Sequence, residues 1–381
     1  MAIPQCVVLG GGFGGVAAAH RLRERLGKNV EISLVDRRGT FMMGLRILWT
    51  VAGQASRAEG TRPLDRLSRK GIKVVRDEAV LIDVDSKMVF TRGGGRLRYD
   101  ALVIALGAEV RPDLVPGYDP VASNLYDPDQ AEAIAARVAS FDRGRLGIGI
   151  LGVPYKCPPA PYECAFLIDD VLRRRGVRDR VELEAFTPQP SSLPVAGTAA
   201  CAEVEGRLAA RGIRFLPNRK VTAVGGREVV FEEDQRAYDL LIAVPPHRAP
   251  GVVKQAGLTA GEWIRPDPRT CATAAPGVFA VGDVTEMPLA NGMMLPKAGV
   301  FAEAQGRAAA DQIARLFGAA DQAVEFDGVG YCYVETGEGA AAAIRGQFYA
   351  TPEPVVEVAE PSPQTLAEKR NFEAERLSAW F

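Results

Sequence analysis

Near its amino terminus the chain reads Cys6-Val7-Val8-Leu9-Gly10-Gly11-Gly12-Phe13-Gly14-Gly15, an apolar run that breaks abruptly into glycine. Gly10, Gly12 and Gly15 fit the pattern G-x-G-x-x-G. Each glycine answers a separate demand: the first a tight turn, the second close approach of backbone amides to a pyrophosphate, the third close packing of the next helix on the strand. Residues 16–26 carry helical spacing, and a second apolar run over 30–35 ends at Asp36, about 20 residues on, where an acid meets a ribose hydroxyl. The segment predicts a βαβ unit holding the ADP half of a dinucleotide on Gly10, Gly12, Gly14, Gly15 and Asp36. The bland alternative is a structural glycine turn.

A chain of 381 residues exceeds one ordinary core and suits two domains with an appendage. Apolar residues make up 47% and charged residues 24%, the balance of a folded globular protein. A formal charge of −1 gives no footprint for nucleic acid. No apolar run approaches the roughly 18–20 residues that span a bilayer, and the first residues lack the basic and apolar regions of a leader; a cytoplasmic location is the expectation. Six cysteines without metal-site spacing and only two histidines, His20 and His247, predict no metal centre.

Short strands are expected at 72–75, 78–84 and 88–91, then a buried strand ending Ala105-Leu106-Gly107 and a proline-rich linker at 112–120. A second α/β pattern follows: strands at 146–151, 181–186, 240–244 and 278–281, helices at 161–175, 199–211 and 298–317, and a final helix at 364–381. The fold class predicted is α/β with two doubly wound, Rossmann-like domains. The first is discontinuous (1–110 and 272–325), the second spans 111–271, and 326–381 forms a C-terminal region.

Gly147-Ile148-Gly149-Ile150-Leu151-Gly152 also matches the glycine pattern, yet these glycines fall inside the strand. The turn itself reads Gly152-Val153-Pro154-Tyr155-Lys156-Cys157-Pro158-Pro159. Its prolines restrict the backbone and remove amide donors, and the next strand ends in Phe186-Thr187-Pro188 with no acid for a ribose. Direct oxidation of a nicotinamide cofactor is disfavoured.

Leu106-Gly107 after its strand, and Gly277-Val278-Phe279-Ala280-Val281-Gly282-Asp283, resemble the later fingerprints of the two-dinucleotide-domain FAD oxidoreductases. The resemblance implies FAD, with Gly107, Gly282 and Asp283 in its site and Asp283 bonded to the ribityl chain. A strand-end Asp capping the next helix is the alternative. Residues 153–163, with Cys157 among prolines, are similar to the cysteine motif of sulfide:quinone oxidoreductases and of the flavoprotein subunit of flavocytochrome c sulfide dehydrogenases. Residues 330–337, with Cys332, resemble the partner-cysteine segment of that family, and Leu295-Pro296-Lys297-Ala298-Gly299 its segment beneath the flavin ring.

That resemblance implies that Cys157 and Cys332 meet as a redox pair at the flavin, attacked by sulfide to leave a persulfide and a thiolate. The thiolate is expected to have a depressed pKa, through Lys156 or a helix N-terminus. Glu163 is the implied proton handler, or else a first-turn residue favourable to the helix dipole. Lys297 is placed to put positive charge at the flavin edge, or else is a solvated helix-start lysine. His247 is a candidate for a ligand-facing loop. No cysteine lies between Cys6 and Cys157, so the FAD is expected to be non-covalent. The acceptor implied is a quinone or an electron-carrier protein. Peripheral membrane contact through the last helix stands against docking of that helix on the protein or on a second subunit. A type II NAD(P)H dehydrogenase and a flavin redox sensor are the alternative functions.

Overall fold

The structure, a computed structural model, describes residues 3–118 and 123–381. The last two residues of the expected 112–120 linker lie outside them. Two five-stranded parallel sheets organise the chain. The first runs in the order Val278–Ala280, Ala101–Ile104, Gln5–Leu9, Glu31–Val35, Lys73–Val75. The second runs Ser123–Asn124, Leu240–Val244, Gly144–Ile150, Val181–Phe186, Arg214–Leu216. Their central strands are largely apolar because both faces are covered. Helices cover one face. The other carries a three-stranded antiparallel sheet, Ala79–Asp83, Met88–Thr91 and Arg96–Arg98 in the first case and Val221–Gly225, Glu228–Phe231 and Gln235–Ala237 in the second. This is the doubly wound α/β class expected.

Parallel pairing places the turn after each central strand at the same edge of its sheet, where such folds bind ligands. In the first sheet, Gln5–Leu9 leads through the glycines into helix α1 (Phe13–Leu26). Gly10 has φ +100°, and a Cβ there would lie 2.3 Å from the Ala105 carbonyl oxygen; a Cβ on Gly15 would lie 1.8 Å from that of Gly10. Helix and strand therefore approach to a distance that only glycine permits. A short helix α2 (Leu45–Val51) follows. In the second sheet, Gly144–Ile150 leads through the proline turn into α3 (Ala160–Arg174).

Gly147 and Gly149 do lie inside that strand, and their use is packing. A Cβ on Gly147 would meet the Tyr238 ring at 2.6 Å and one on Gly149 the Phe186 ring at 2.1 Å. The bare strand lets two aromatic rings lie flat against it.

After α4 (Gly299–Leu316) the chain forms an antiparallel sheet, Val329–Gly337, Ala340–Gln347 and Val355–Val358, and ends in α5 (Pro363–Trp380). Helix α5 is docked on the chain. Trp380 meets Phe13 and Phe41 edge-on at 5.7 and 5.4 Å, and Phe372 stacks on Phe13 at 6.3 Å. Arg46 pairs with Glu373 at 2.7 Å. In the sequence Leu377, Trp380 and Phe381 suggest a short apolar stripe that Leu366 and Phe372 do not continue. The structure corrects this, because Leu366, Lys369, Phe372, Glu373, Leu377 and Trp380 are all buried on one face. Two of those positions are charged, so the stripe is invisible to hydropathy.

Candidate active site

One large cavity, of about 1380 Å³, runs from the first glycine turn to the antiparallel sheet, larger than the roughly 300–1,000 Å³ of drug-sized sites. Gly10 to Gly14 and Asp36 line one end; Gly107, Gly282 and Asp283 line the middle; Lys156, Cys157, Glu163, Lys297 and Cys332 line the other end. Gly15 lies beneath the turn. Gly12 has open space where a Cβ would stand, and the first amides of α1 have no intrahelical partner. They point a cluster of donors at an anion.

Asp36 is held by the loop it serves. Its carboxylate accepts from the Gly11 amide at 2.8 Å, Arg38 at 2.8 Å and Gly39 at 3.0 Å, which orients its remaining lone pairs. Asp283 is the converse case: its Oδ1 is buried without a hydrogen-bond partner among the described residues, and burial pushes its pKa up. A buried acceptor left open on a cavity wall calls for a donor from a ligand. The hydroxyl-rich linker of a flavin dinucleotide fits that demand.

Lys297, on the cavity wall, turns its ammonium to the carbonyls of Asp283 at 2.9 Å and Thr285 at 2.7 Å. It also sits 3.4 Å from the centre of the Trp263 ring. Burial lowers its pKa to about 8. It is a buried lysine, not a solvated helix-start residue.

In the second turn Cys157 takes φ +50° because its backbone is held on both sides. Its amide donates to the Lys297 carbonyl at 2.6 Å, and its carbonyl accepts from the Ala160 amide at 2.9 Å and the Tyr126 hydroxyl at 3.1 Å. His247 is fully buried with Nδ1 3.0 Å from the Pro245 carbonyl and its ring edge-on to Tyr126 at 5.3 Å. It supports the turn and does not line the cavity. Burial lowers its pKa to about 3.

The two cysteines, both free thiols, come to the same wall: Cys157 from the proline turn, Cys332 from strand Val329–Gly337 opposite Ile344. The expected depressed pKa is not found. Burial, reinforced by Glu163, pushes Cys157 up to about 12 and holds Cys332 well above the ordinary thiol value. Lys156 lies over the Tyr126 ring at 5.5 Å, itself desolvated. The amide at the start of α3 bonds the Cys157 carbonyl, not its sulfur.

Glu163, on the first turn of α3, is buried beside both thiols, and burial raises its pKa to about 7, with Lys369 opposing and Glu335 reinforcing. Lys369 Nζ, wholly buried on α5, donates to Glu163 and, at 2.8 Å, to Glu335. Trp49 of α2 donates its indole N–H to Glu335. None of Lys369, Glu335 or Trp49 was singled out in the sequence. Glu335 stands three residues after Cys332, which was a usable signal; Lys369 looks like any charge on a charged helix.

The sequence profile of the pyridine nucleotide-disulphide oxidoreductases matches residues 4–306, covering the first sheet, the proline turn and α3. The chain belongs to this family. It is a family of flavin oxidoreductases, and membership implies FAD as the cofactor. The mitochondrial sulfide:quinone oxidoreductase of Dictyostelium discoideum is 29% identical over 307 residues, 75% of this chain and 66% of that protein. This oxidoreductase thus spans just under two thirds of that relative. Demethylphylloquinone reductase NdbB of Synechocystis sp. is 25% identical over 77% of this chain and 74% of its own. The solved structure of sulfide:quinone oxidoreductase from Aquifex aeolicus superposes with a TM-score of 0.89 at 24% identity, covering 99% of this chain and 91% of that one.

Proposed function

We propose that this flavin oxidoreductase oxidises sulfide, or a related sulfane-sulfur donor, through Cys157 and Cys332 and passes the electrons to a quinone or an electron-carrier protein. The observation that carries this reading is the convergence of the two cysteines, beside Glu163, on one wall of the glycine-lined cavity. The similarity to sulfide:quinone oxidoreductases supports it.

FAD would be held by Gly10, Gly12 and Gly14 at the pyrophosphate, Asp36 at the ribose and Asp283 at the ribityl hydroxyls, with Gly107 and Gly282 giving room. When bound, it supplies a two-electron acceptor for the cysteine pair. Cys157 and Cys332 are the cysteines on the cavity wall among the described residues, which supports non-covalent binding. The cysteines do the sulfur chemistry. A hydrosulfide anion attacks the disulfide form, an S–S bond forms to one sulfur, and the electron pair of the broken S–S bond leaves on the other as thiolate. Glu163 takes the proton released as the persulfide becomes an anion. Lys297 keeps positive charge on the cavity wall.

No helix among the described residues is long and apolar enough to cross a membrane. The apolar face of α5 is covered by the chain, which favours docking of that helix over its use as a membrane anchor. The Synechocystis relative favours a second reading, quinone reduction by NAD(P)H. Against it stands the second turn, whose Cys157 amide is already bonded and whose prolines carry no amide.

Anaerobic stopped-flow decides. Flavin bleaching by micromolar sulfide and not by NADH is expected. Bleaching by NADH alone overturns the proposal, and no reduction by either marks a redox sensor. Acid precipitation is expected to release the flavin into the supernatant.

A further inference from the structure

On the far side of the buried ion cluster lies a second cavity, of about 240 Å³, lined by Gln54, Asp170, Arg174, Glu335, Leu366 and Arg370. Gln54, Arg174 and Arg370 are exposed, so it meets solvent, and its size admits several water molecules. Glu163 lines the large cavity with the two thiols; Glu335 lines the small one. Lys369 lines neither and bonds both carboxylates. The three side chains form one continuous hydrogen-bonded path between two water-accessible spaces, through a region where every link is at most 3% exposed.

We infer that Glu163, Lys369 and Glu335 form a proton relay that carries the proton released at the cysteine pair out to solvent through the small cavity. The inference rests on the sulfide-oxidising reading and deepens it. At the cysteines, hydrosulfide plus disulfide gives persulfide anion, thiolate and one proton: the S–H bond breaks, one S–S bond forms and another breaks, and no electrons are left over. The proton goes to Glu163. Lys369 takes it from Glu163 while donating another of its protons to Glu335, and Glu335 releases it to water. Helices α3 and α5 both pack on the antiparallel sheet around this path, which gives the proton a way out that does not cross the large cavity.

The charges around the path favour one proton shared among its members. Glu163 faces Lys369, Glu335, Cys157 and Cys332. Lys369 faces the two glutamates and the Trp49 ring, 5.4 Å away. Arg46 lies over the other part of Trp49 at 5.2 Å and is paired with Glu373. At the mouth, Asp170 is paired with Arg211, while Arg174 and Arg370 line the wall. Two carboxylates on one ammonium leave a net negative charge in a desolvated site, which favours holding a proton.

The test is anaerobic flavin reduction by sulfide in the holoenzyme, in light and heavy water, with Glu335→Gln and Leu366→Phe. The amide keeps both hydrogen bonds to Glu335 but carries no proton onward; the larger side chain fills the small cavity and leaves every titratable group in place. The expected result is a rate about tenfold lower in each, a larger solvent isotope effect, unchanged sulfide KM and flavin content, and partial rescue of Glu335→Gln by millimolar formate. A Leu366→Phe protein should not respond to formate. If wild type is reduced by sulfide and both variants match its rate and isotope effect, the relay is overturned and the sulfide reading stands. If wild type is not reduced by sulfide, the reading itself falls and takes the relay with it.

Discussion

The molecule contains two strand–turn–helix units of the same parallel topology, and they use their backbones in opposite ways. After Gln5–Leu9 the Gly10 and Gly11 amides bond to Val35 and Asp36, and the open donors are the first amides of α1, with Gly12 bare toward the cavity. After Gly144–Ile150 the turn is built of prolines. The Cys157 amide and carbonyl bond to Lys297, Ala160 and Tyr126, and the cysteine stands on the wall of the large cavity. The fold supplies a location, and the turn sequence decides whether that location presents backbone donors or a thiol.

The sharpest way to break this contrast is Cys157→Ser. Sulfide-driven flavin reduction should fall by about 10³ or more, the scale of losing a nucleophile, with flavin content intact because the first turn is untouched. A variant that loses its flavin would show that the two turns are not separate in function. Next in size is Lys369→Met, which strands Glu163 and Glu335 without their cation. Breaking a buried pair costs ~3–5 kcal/mol, visible as a lower denaturant midpoint. Unchanged stability would mean that the cluster is not held as described.

Glycine substitutions sharpen the comparison further. Gly15→Ala and Gly147→Ala each force a Cβ into a neighbour, at 1.8 and 2.6 Å, and should cost about 1–3 kcal/mol by overpacking. Only Gly15→Ala should weaken FAD retention as well. If Gly147→Ala alters flavin affinity, the second glycine match is more than packing.

The pH dependence is the smallest effect. With its pKa raised to about 7, Glu163 is mainly protonated below that value and becomes a base above it. At constant hydrosulfide-anion concentration, the reduction rate should rise through about pH 7, and Glu163→Gln should flatten that limb. The folded state holds this proton more tightly than the unfolded chain does. The associated stability is full below about 4.5 and is lost as pH rises through about 7. Equilibrium unfolding should show that slope in wild type and lose it in Glu163→Gln.

Local pattern alone carried the glycine turn, the place of Asp36 beside it and the parallel α/β class, because each depends on contacts within one βαβ unit and on apolar runs that read directly. The edge strand Arg214–Leu216 was missed, since three residues carry no period. The buried face of α5 was missed because Lys369 and Glu373 stand where apolar residues would reveal it. The depressed pKa expected at Cys157 rested on Lys156 or a helix N-terminus, but Lys156 turns to an aromatic ring, the start of α3 bonds the Cys157 carbonyl, and burial governs the sulfur. Asp283 was legible as a strand-end acid; that its Oδ1 lacks a partner was not. The sequence by itself determined the fold class, the glycine-built first turn and the proline-built second one, since these reside in residue types at fixed short spacing. Only the tertiary structure decided which charges are desolvated together. It joined Glu163, Glu335 and Lys369 from three distant segments, and a pKa depends on what surrounds a group, not on what precedes it in the chain.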